Sequence, residues 1–197
     1  NATISLFAYV DIENTNDKTI IFEAKDFETS EVFSTDDTIH PDGPLNLLKG
    51  VYLRIMKDYP FEHNGLRITT YVQAPPGSGL GSSSTLVVAL IGAFVEMLKL
   101  PLGEYDIERI DLNLAGGKQD QYAATFGGFN YMEFFKDDKT IVNPLRIKSE
   151  YIYELEKNIV LFYTSKSRES ARIIDEQVAN VKSQKQSSIE AMHHIKE

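Results

Sequence analysis

A glycine-punctuated turn between an apolar strand and a long apolar helix constrains this chain more than any other feature. The turn reads Ala74-Pro75-Pro76-Gly77-Ser78-Gly79-Leu80-Gly81-Ser82-Ser83-Ser84-Thr85. Ahead of it, residues 65–72 are β-branched and aromatic enough to form a strand. Behind it, residues 86–98 make an apolar run that fits only a buried helix. Glycines at alternate positions let the backbone turn sharply and approach a ligand closely. The serines fall where the helix begins, so their hydroxyls are expected to cap it. The first amides of a helix have no internal partner and carry partial positive charge. Strand, glycine turn and helix therefore predict an anion site, best suited to phosphate.

Two familiar phosphate loops do not fit. A Walker loop needs a lysine after its last glycine, and Ser82 stands there. A dinucleotide fingerprint needs a third glycine where Ser84 stands, and a strand-end acid about 20 residues on. That region reads Leu100-Pro101-Leu102. A plain structural turn is the remaining alternative, but it has little use for three glycines and then three serines.

Composition narrows the partners. The 197 residues carry a net charge of −9, which argues against nucleic acid or an anionic membrane surface. An anionic substrate must then be held by local groups. There is no cysteine, which rules out disulfides and thiolate metal sites and suits a reducing cytoplasm. The run 86–95 is too short to span a bilayer. No export leader is visible. The chain opens at Asn1 directly on a strand-like run, so further sequence is expected upstream.

Read in order, residues 3–12 predict a strand and 18–24 its hairpin partner, with a turn at 14–17. Residues 28–34 predict a third strand. A helix is expected over 45–57, with Leu45, Leu48, Tyr52 and Ile55 on one face. Pro101 announces a short helix reaching about residue 110. Residues 116–128 read as a loop, a short helix and a double-glycine stop. A hairpin is expected from 129–134 and 140–142, and a strand over 158–163. From residue 168 the chain reads as helix, broken near 183–187, with an apolar face at Ile173, Ile174, Val178 and Val181.

A phosphate cradle alone is no enzyme, because phosphoryl transfer also needs charge stabilisation and an oriented acceptor. Two acids compete for these roles. Glu108 lies beside Arg109 on the expected helix and reads alone as a solvated charge. Asp120 lies between Gly117 and Ala123-Ala124, where it either caps a helix or faces a cleft.

The segment Pro75-x-x-x-Gly79-Leu80-Gly81-Ser82-Ser83-Ser84 resembles the second motif of the GHMP kinases, the galactokinase, homoserine kinase, mevalonate kinase and phosphomevalonate kinase superfamily. The resemblance implies that Gly77, Ser78, Gly79, Leu80, Gly81, Ser82, Ser83 and Ser84 wrap the phosphates of ATP. It implies that Ser83 and Glu108 hold Mg²⁺ and that Asp120 is the base or orienter for the acceptor hydroxyl. Glu108 through Leu112, Gly116 through Asn130 and Tyr163 through Ser170 further resemble the bacterial D-glycero-D-manno-heptose 7-phosphate kinases. That likeness implies transfer to the anomeric hydroxyl of a heptose phosphate, giving the 1,7-bisphosphate for nucleotide-activated heptose. Gly117, Lys118, Lys166 and Arg168 become candidates for the sugar phosphate, or are simply surface groups.

The superfamily's first and third glycine-rich motifs are missing from these residues, and the stretch from Glu104 to Glu108 is short. The expected fold is α+β with two domains. Residues 1–157 would form the mixed-sheet N-terminal domain with the glycine loop, and 158–197 the beginning of a truncated α+β C-terminal domain. The alternatives are another sugar kinase of the fucose or galactose type, or a non-catalytic sugar and nucleotide sensor on the same fold.

Overall fold

The computed structural model describes residues 1–102, 118–136, 139–162, 170–183 and 185–196. The expected helix after Pro101, Glu108, Gly117, Lys166 and Arg168 lie outside the described residues.

Four strands form the main sheet: β1 (Ala8–Asn14), β2 (Thr19–Ala24), β3 (Thr29–Ser34) and β4 (Leu66–Val72). A 3₁₀ turn, Lys25–Phe27, joins β2 to β3. The sheet order is β1-β4-β2-β3. β4 runs antiparallel to β1 (Ile12 opposite Ile68) and parallel to β2 (Phe22 opposite Ile68). The sheet is therefore mixed, as expected, but β1 and β2 do not form the expected hairpin.

The correction has a local cause. β4 alternates Leu66, Ile68 and Thr70, each 0–1% exposed, and takes the central place that such an apolar strand needs. The loop between β1 and β2 then steps over the start of β4. Thr15 N–H donates to Gly65 O (2.9 Å) and Lys18 N–H to Asn64 O (2.7 Å). A Cβ on Gly65 would lie 2.3 Å from Thr15 Oγ1 and 2.8 Å from Thr19 O, so only glycine fits there. Asp17 Oδ1 ties the loop by accepting from the hydroxyls of Thr15 and Thr19. Those hydrogen bonds hold its carboxyl below the usual range.

β1 also begins later than expected. Residues 1–3 attach instead to the segment 128–130, with an Ala2–Phe129 bridge and Thr3 N–H on Gly128 O at 2.9 Å, while Phe7 stays beside Gln73 (Gln73 N–H to Phe7 O, 3.0 Å).

Two helices cover one face of the sheet. α1 (Asn46–Asp58) buries Leu48, Val51, Tyr52 and Ile55, one residue off the expected bounds at each end. α2 (Ser82–Leu98) buries Leu86, Val87, Leu90, Ile91 and Phe94. With Ile20, Phe22 and Ala24 of β2 and Leu66 and Ile68 of β4 these side chains make one core. Phe22 sits at its middle, edge-on to Tyr52 (5.6 Å between centroids) and to Phe33 (6.0 Å). α3 (Gln119–Phe126) lies along α2 and ends at Gly127-Gly128. The hairpin β5 (Asn130–Phe134) and β6 (Thr140–Pro144) follows, close to its expected place.

Helix α4 (Ser149–Asn158) has no counterpart in the sequence reading. Its signal was there: Ser149 opens it, Glu150 sits in the first turn and Lys157 in the last. The strand expected over 158–163 is not seen in its described part. Asn158 ends α4, and Ile159, Val160, Leu161 and Phe162 are extended or irregular and 59–83% exposed. An apolar run becomes a strand only beside a partner strand, and none lies beside it among the described residues. α5 (Ser170–Lys182) and α6 (Gln186–Lys196) follow, with the expected break between them.

Replacing Phe22 by Ala is expected to cost about 3–5 kcal/mol of unfolding free energy, a large share of a domain's stability, measured by denaturant titration. His63 gives a second test. Its Nε2 lies 3.2 Å from Tyr52 Oη, and its Nδ1 is enclosed without a partner among the described residues. Burial holds its folded pKa below the ordinary 6.5. The unfolded chain therefore takes up its proton first, and stability falls as pH drops through the ordinary 6.5. Thermal unfolding across that range, with His63→Gln flattening the slope, checks this.

Candidate functional site

β4 delivers the chain to the glycine turn, and α2 carries it away. Gly77, Gly79 and Gly81 have φ of 67°, 76° and 72°, a region that L side chains rarely enter. Gly81 is the residue before α2, and no side chain caps the helix. This corrects the expected serine cap. Thr85 Oγ1 instead turns back to Gly81 O at 3.0 Å. The amides of Ser82, Ser83 and Ser84 precede the first intrahelical donors of α2, so they remain available to an anion. Ser78 differs from its neighbours: its N–H donates to Pro75 O at 3.1 Å, and its hydroxyl is enclosed without a partner among the described residues. Its amide is committed to the turn rather than to a ligand.

The loop divides two cavities. On one side, Gly77, Ser82 and Ser83 line a cavity of about 240 Å³ with Asp26, Phe27, Asn46, Leu48, Val72 and Leu86. On the other, Gly79, Leu80, Gly81 and Thr85 line one of about 500 Å³ with residues 1–4 and 6–8, Val88, Gln119 and Asp120. A ligand phosphate on the loop would thus face a separate space on each side.

The smaller cavity has a braced rim. Lys49 of α1 is buried, with Nζ 2.7 Å from Glu31 Oε2 and 3.5 Å from Asp42 Oδ1. This ties β3 and the loop before α1 together, just where Pro44, Leu45 and Asn46 reach the cavity. Breaking a buried pair leaves an uncompensated charge, so the brace is stiff.

Asp120 stands in the first turn of α3 and is exposed to the larger cavity. α3 is pinned by Tyr122, 4% exposed, whose ring stacks on Phe126 (6.3 Å) and meets Phe134 edge-on (5.8 Å). Because α3 lies along α2, the carboxylate comes to rest against the glycine turn. A Cβ on Gly81 would lie 3.2 Å from Asp120 Cγ and 3.3 Å from its Oδ2. Of the two readings open to Asp120, the cleft prevails, since no side chain caps α3.

The structure thus brings together Asp120 with Gly79, Leu80 and Gly81, and places Ser83 on the other side of the turn. Lys118 is exposed at the start of α3 and outside the described lining of either cavity. Among the described residues no cluster of three metal-ligating side chains occurs. No lysine, arginine or histidine lines either cavity among the described residues. Positive potential at the loop therefore comes there from the α2 amides. Asp26, Phe27 and Asn46 were missed by the sequence reading, because a short turn and a helix start give no periodic signal.

Residues 46–128 match the GHMP kinases N terminal domain. The D-glycero-alpha-D-manno-heptose 7-phosphate kinase of Campylobacter jejuni is 45% identical over the whole of this chain, which spans 60% of that protein. A crystal structure of a D-glycero-D-manno-heptose 1-phosphate kinase from Bacteriodes thetaiotaomicron superposes with a TM-score of 0.77 at 47% identity, covering 92% of this chain and 61% of that one. Lactococcus lactis galactokinase complexed with galactose shares the fold at 17% identity, with a TM-score of 0.60 over 75% of this chain and 41% of its own. No described helix is long and apolar enough to cross a membrane. Residues 46–128, with β4, the glycine turn, α2 and α3, thus carry the GHMP kinases N terminal domain, and the whole chain is similar to the heptose phosphate kinases.

Proposed function

We propose that the protein is an ATP-dependent kinase that phosphorylates the anomeric hydroxyl of D-glycero-D-manno-heptose 7-phosphate, giving the 1,7-bisphosphate. The observation that supports this reading most is the carboxylate of Asp120 set against the glycine turn, 3.2 Å from where a Gly81 Cβ would be, with an open cavity before it. The nucleotide then occupies the smaller cavity with its phosphates on the loop, and the sugar the larger one. Residues 1–157 act as the nucleotide and sugar domain, and 158–197 begin a second domain. The reaction is placed in the cytoplasm, where ATP is available.

The chemistry follows from these positions. Asp120 accepts the proton of the acceptor hydroxyl as its oxygen forms a bond to the γ-phosphorus. The bond from that phosphorus to the β-bridging oxygen breaks in line, and ADP leaves with the electron pair. The amides at Gly79 through Ser84 face the charge that gathers on the phosphate oxygens, an electrostatic term usually among the largest in such reactions. Ser83 and Glu108 would hold Mg²⁺, which neutralises part of that charge when bound. Gly117, Lys118 and Arg168 remain candidates for the sugar's own phosphate.

An ADP-release assay on the intact protein tests the reading, with heptose 7-phosphate, heptose 1-phosphate, galactose and fucose as acceptors. Turnover is expected with the 7-phosphate, and none with any sugar would remove the proposal. Asp120→Asn is expected to lower kcat by about 10²–10⁴-fold with nucleotide affinity kept. Gly81→Ala places a side chain at positive φ, at a strain of about 1–2 kcal/mol, and presses on Asp120. It is expected to lower kcat more than it raises KM for ATP, measured by the same assay.

A further inference from the structure

The turn that ends α3 leans on hydrogen bonds. Gly127 and Gly128 stand at φ of 62° and 67°, and a Cβ added to either would meet nothing within 4 Å. Two such glycines give the end of a helix little definition of their own. Asn130, at the start of β5, supplies it. The residue is 2% exposed, and its Nδ2 donates to Gly127 O at 2.7 Å. Gly127 N–H in turn donates to Ala123 O at 3.0 Å, which joins this contact to the last turn of α3. Asn130 is itself anchored through its backbone, with its N–H on Asn1 O at 3.1 Å. Thr3 also holds Gly128, taking its N–H on Oγ1 at 2.7 Å, but both residues are exposed and water competes for that bond.

Stability alone does not call for an amide at position 130. Asn130 Oδ1 is enclosed without a partner among the described residues, and a buried acceptor left unanswered is costly. An apolar side chain of similar size would avoid that cost. What the amide gains is its hold on Gly127, and Gly127 lines the larger cavity with Asp120. α3 has eight residues, about 12 Å of helix. A helix so short moves as one piece, so a displaced last turn carries Asp120 in the first turn with it. Proton transfer needs hydrogen-bond reach, and a misplacement on the order of 1 Å costs about 10²-fold in rate.

Resting on the reading that Asp120 serves the acceptor hydroxyl, we infer that Asn130 is a positioning residue for Asp120. By holding the Gly127 carbonyl it fixes the tilt of α3, and so the place of the carboxylate against Gly81. Tyr122 pins the middle of the helix and Asn130 its far end. Asn130 is outside the described lining of either cavity, so it acts through Asp120 and touches no ligand.

Asn130→Leu tests this in the intact protein, because it removes the donor and the orphaned acceptor together at similar size. Its thermal midpoint is expected to stay close to that of wild type. Sugar phosphorylation is expected to fall about 10–100-fold in kcat, with KM for ATP and calorimetric ATP affinity kept within about two-fold. In an Asp120→Asn background the same change should cost less than about two-fold, since the group it acts through is already gone. A full second loss there overturns the inference, and so does an unchanged kcat in the single variant. Hydrogen exchange gives a readout free of turnover. Protection of the amides at 123–127 is expected to drop about ten-fold or more in Asn130→Leu, with the amides of α2 unchanged; equal protection in both proteins overturns the inference. Should that variant fail to fold, wild type alone decides. One side-chain N–H of Asn130 is expected to exchange slowly by NMR, and fast exchange of both overturns the inference. If wild type phosphorylates no sugar, the kinase reading falls, and the exchange data still decide whether Asn130 holds α3.

Discussion

Everything at this site depends on leaving the N-terminus of α2 unfinished. A buried helix normally has its first amides answered by a side chain, yet here the residue before it is Gly81 and no cap is made. The serines that might have served as caps stand inside the first turn. The open amides are tolerable because the loop is accessible and a ligand can answer them. The cost is set against the burial of Leu86, Val87, Leu90, Ile91 and Phe94 further along the same helix. A strongly anchored helix can hold a loosely finished end in one place.

The same logic explains Asp120. An acid near an anion site is unfavourable unless its position is imposed by something else. Tyr122 and the ring contacts to Phe126 and Phe134 fix α3, and α3 carries Asp120 to the turn regardless of charge. With a net charge of −9 and no cationic side chain along the cavity walls among the described residues, the backbone dipoles at the start of α2 contribute to the balance for a phosphate.

The parts legible in the sequence were those governed by local rules. The turn at 74–85, both core helices, the stop at Gly127-Gly128 and the β5–β6 hairpin all follow from periodicity and glycine chemistry. What escaped was pairing at a distance. Nothing in residues 8–24 says that a strand from 66–72 will come between β1 and β2. The run at Ile159 to Phe162 looked like a strand because its residues suit one, but composition cannot supply a neighbour. Asp26 and Phe27 were hidden for a related reason. They line the smaller cavity together with Ser82 and Leu86, a relation with no trace in spacing.

The insertion of β4 bears on how the chain is made. β1, β2, β3 and α1 all precede it in sequence, so during synthesis they emerge with the middle of their sheet vacant. β1 has no native partner strand until residue 66 and its successors arrive, whereas β2 and β3 can pair with each other at once. The nascent chain must therefore hold Ile20, Phe22 and Ile12 away from wrong pairings for some fifty residues of elongation, several seconds at ordinary translation rates. A strand that completes a sheet late makes that interval, rather than the finished fold, the moment when this protein is most exposed to aggregation.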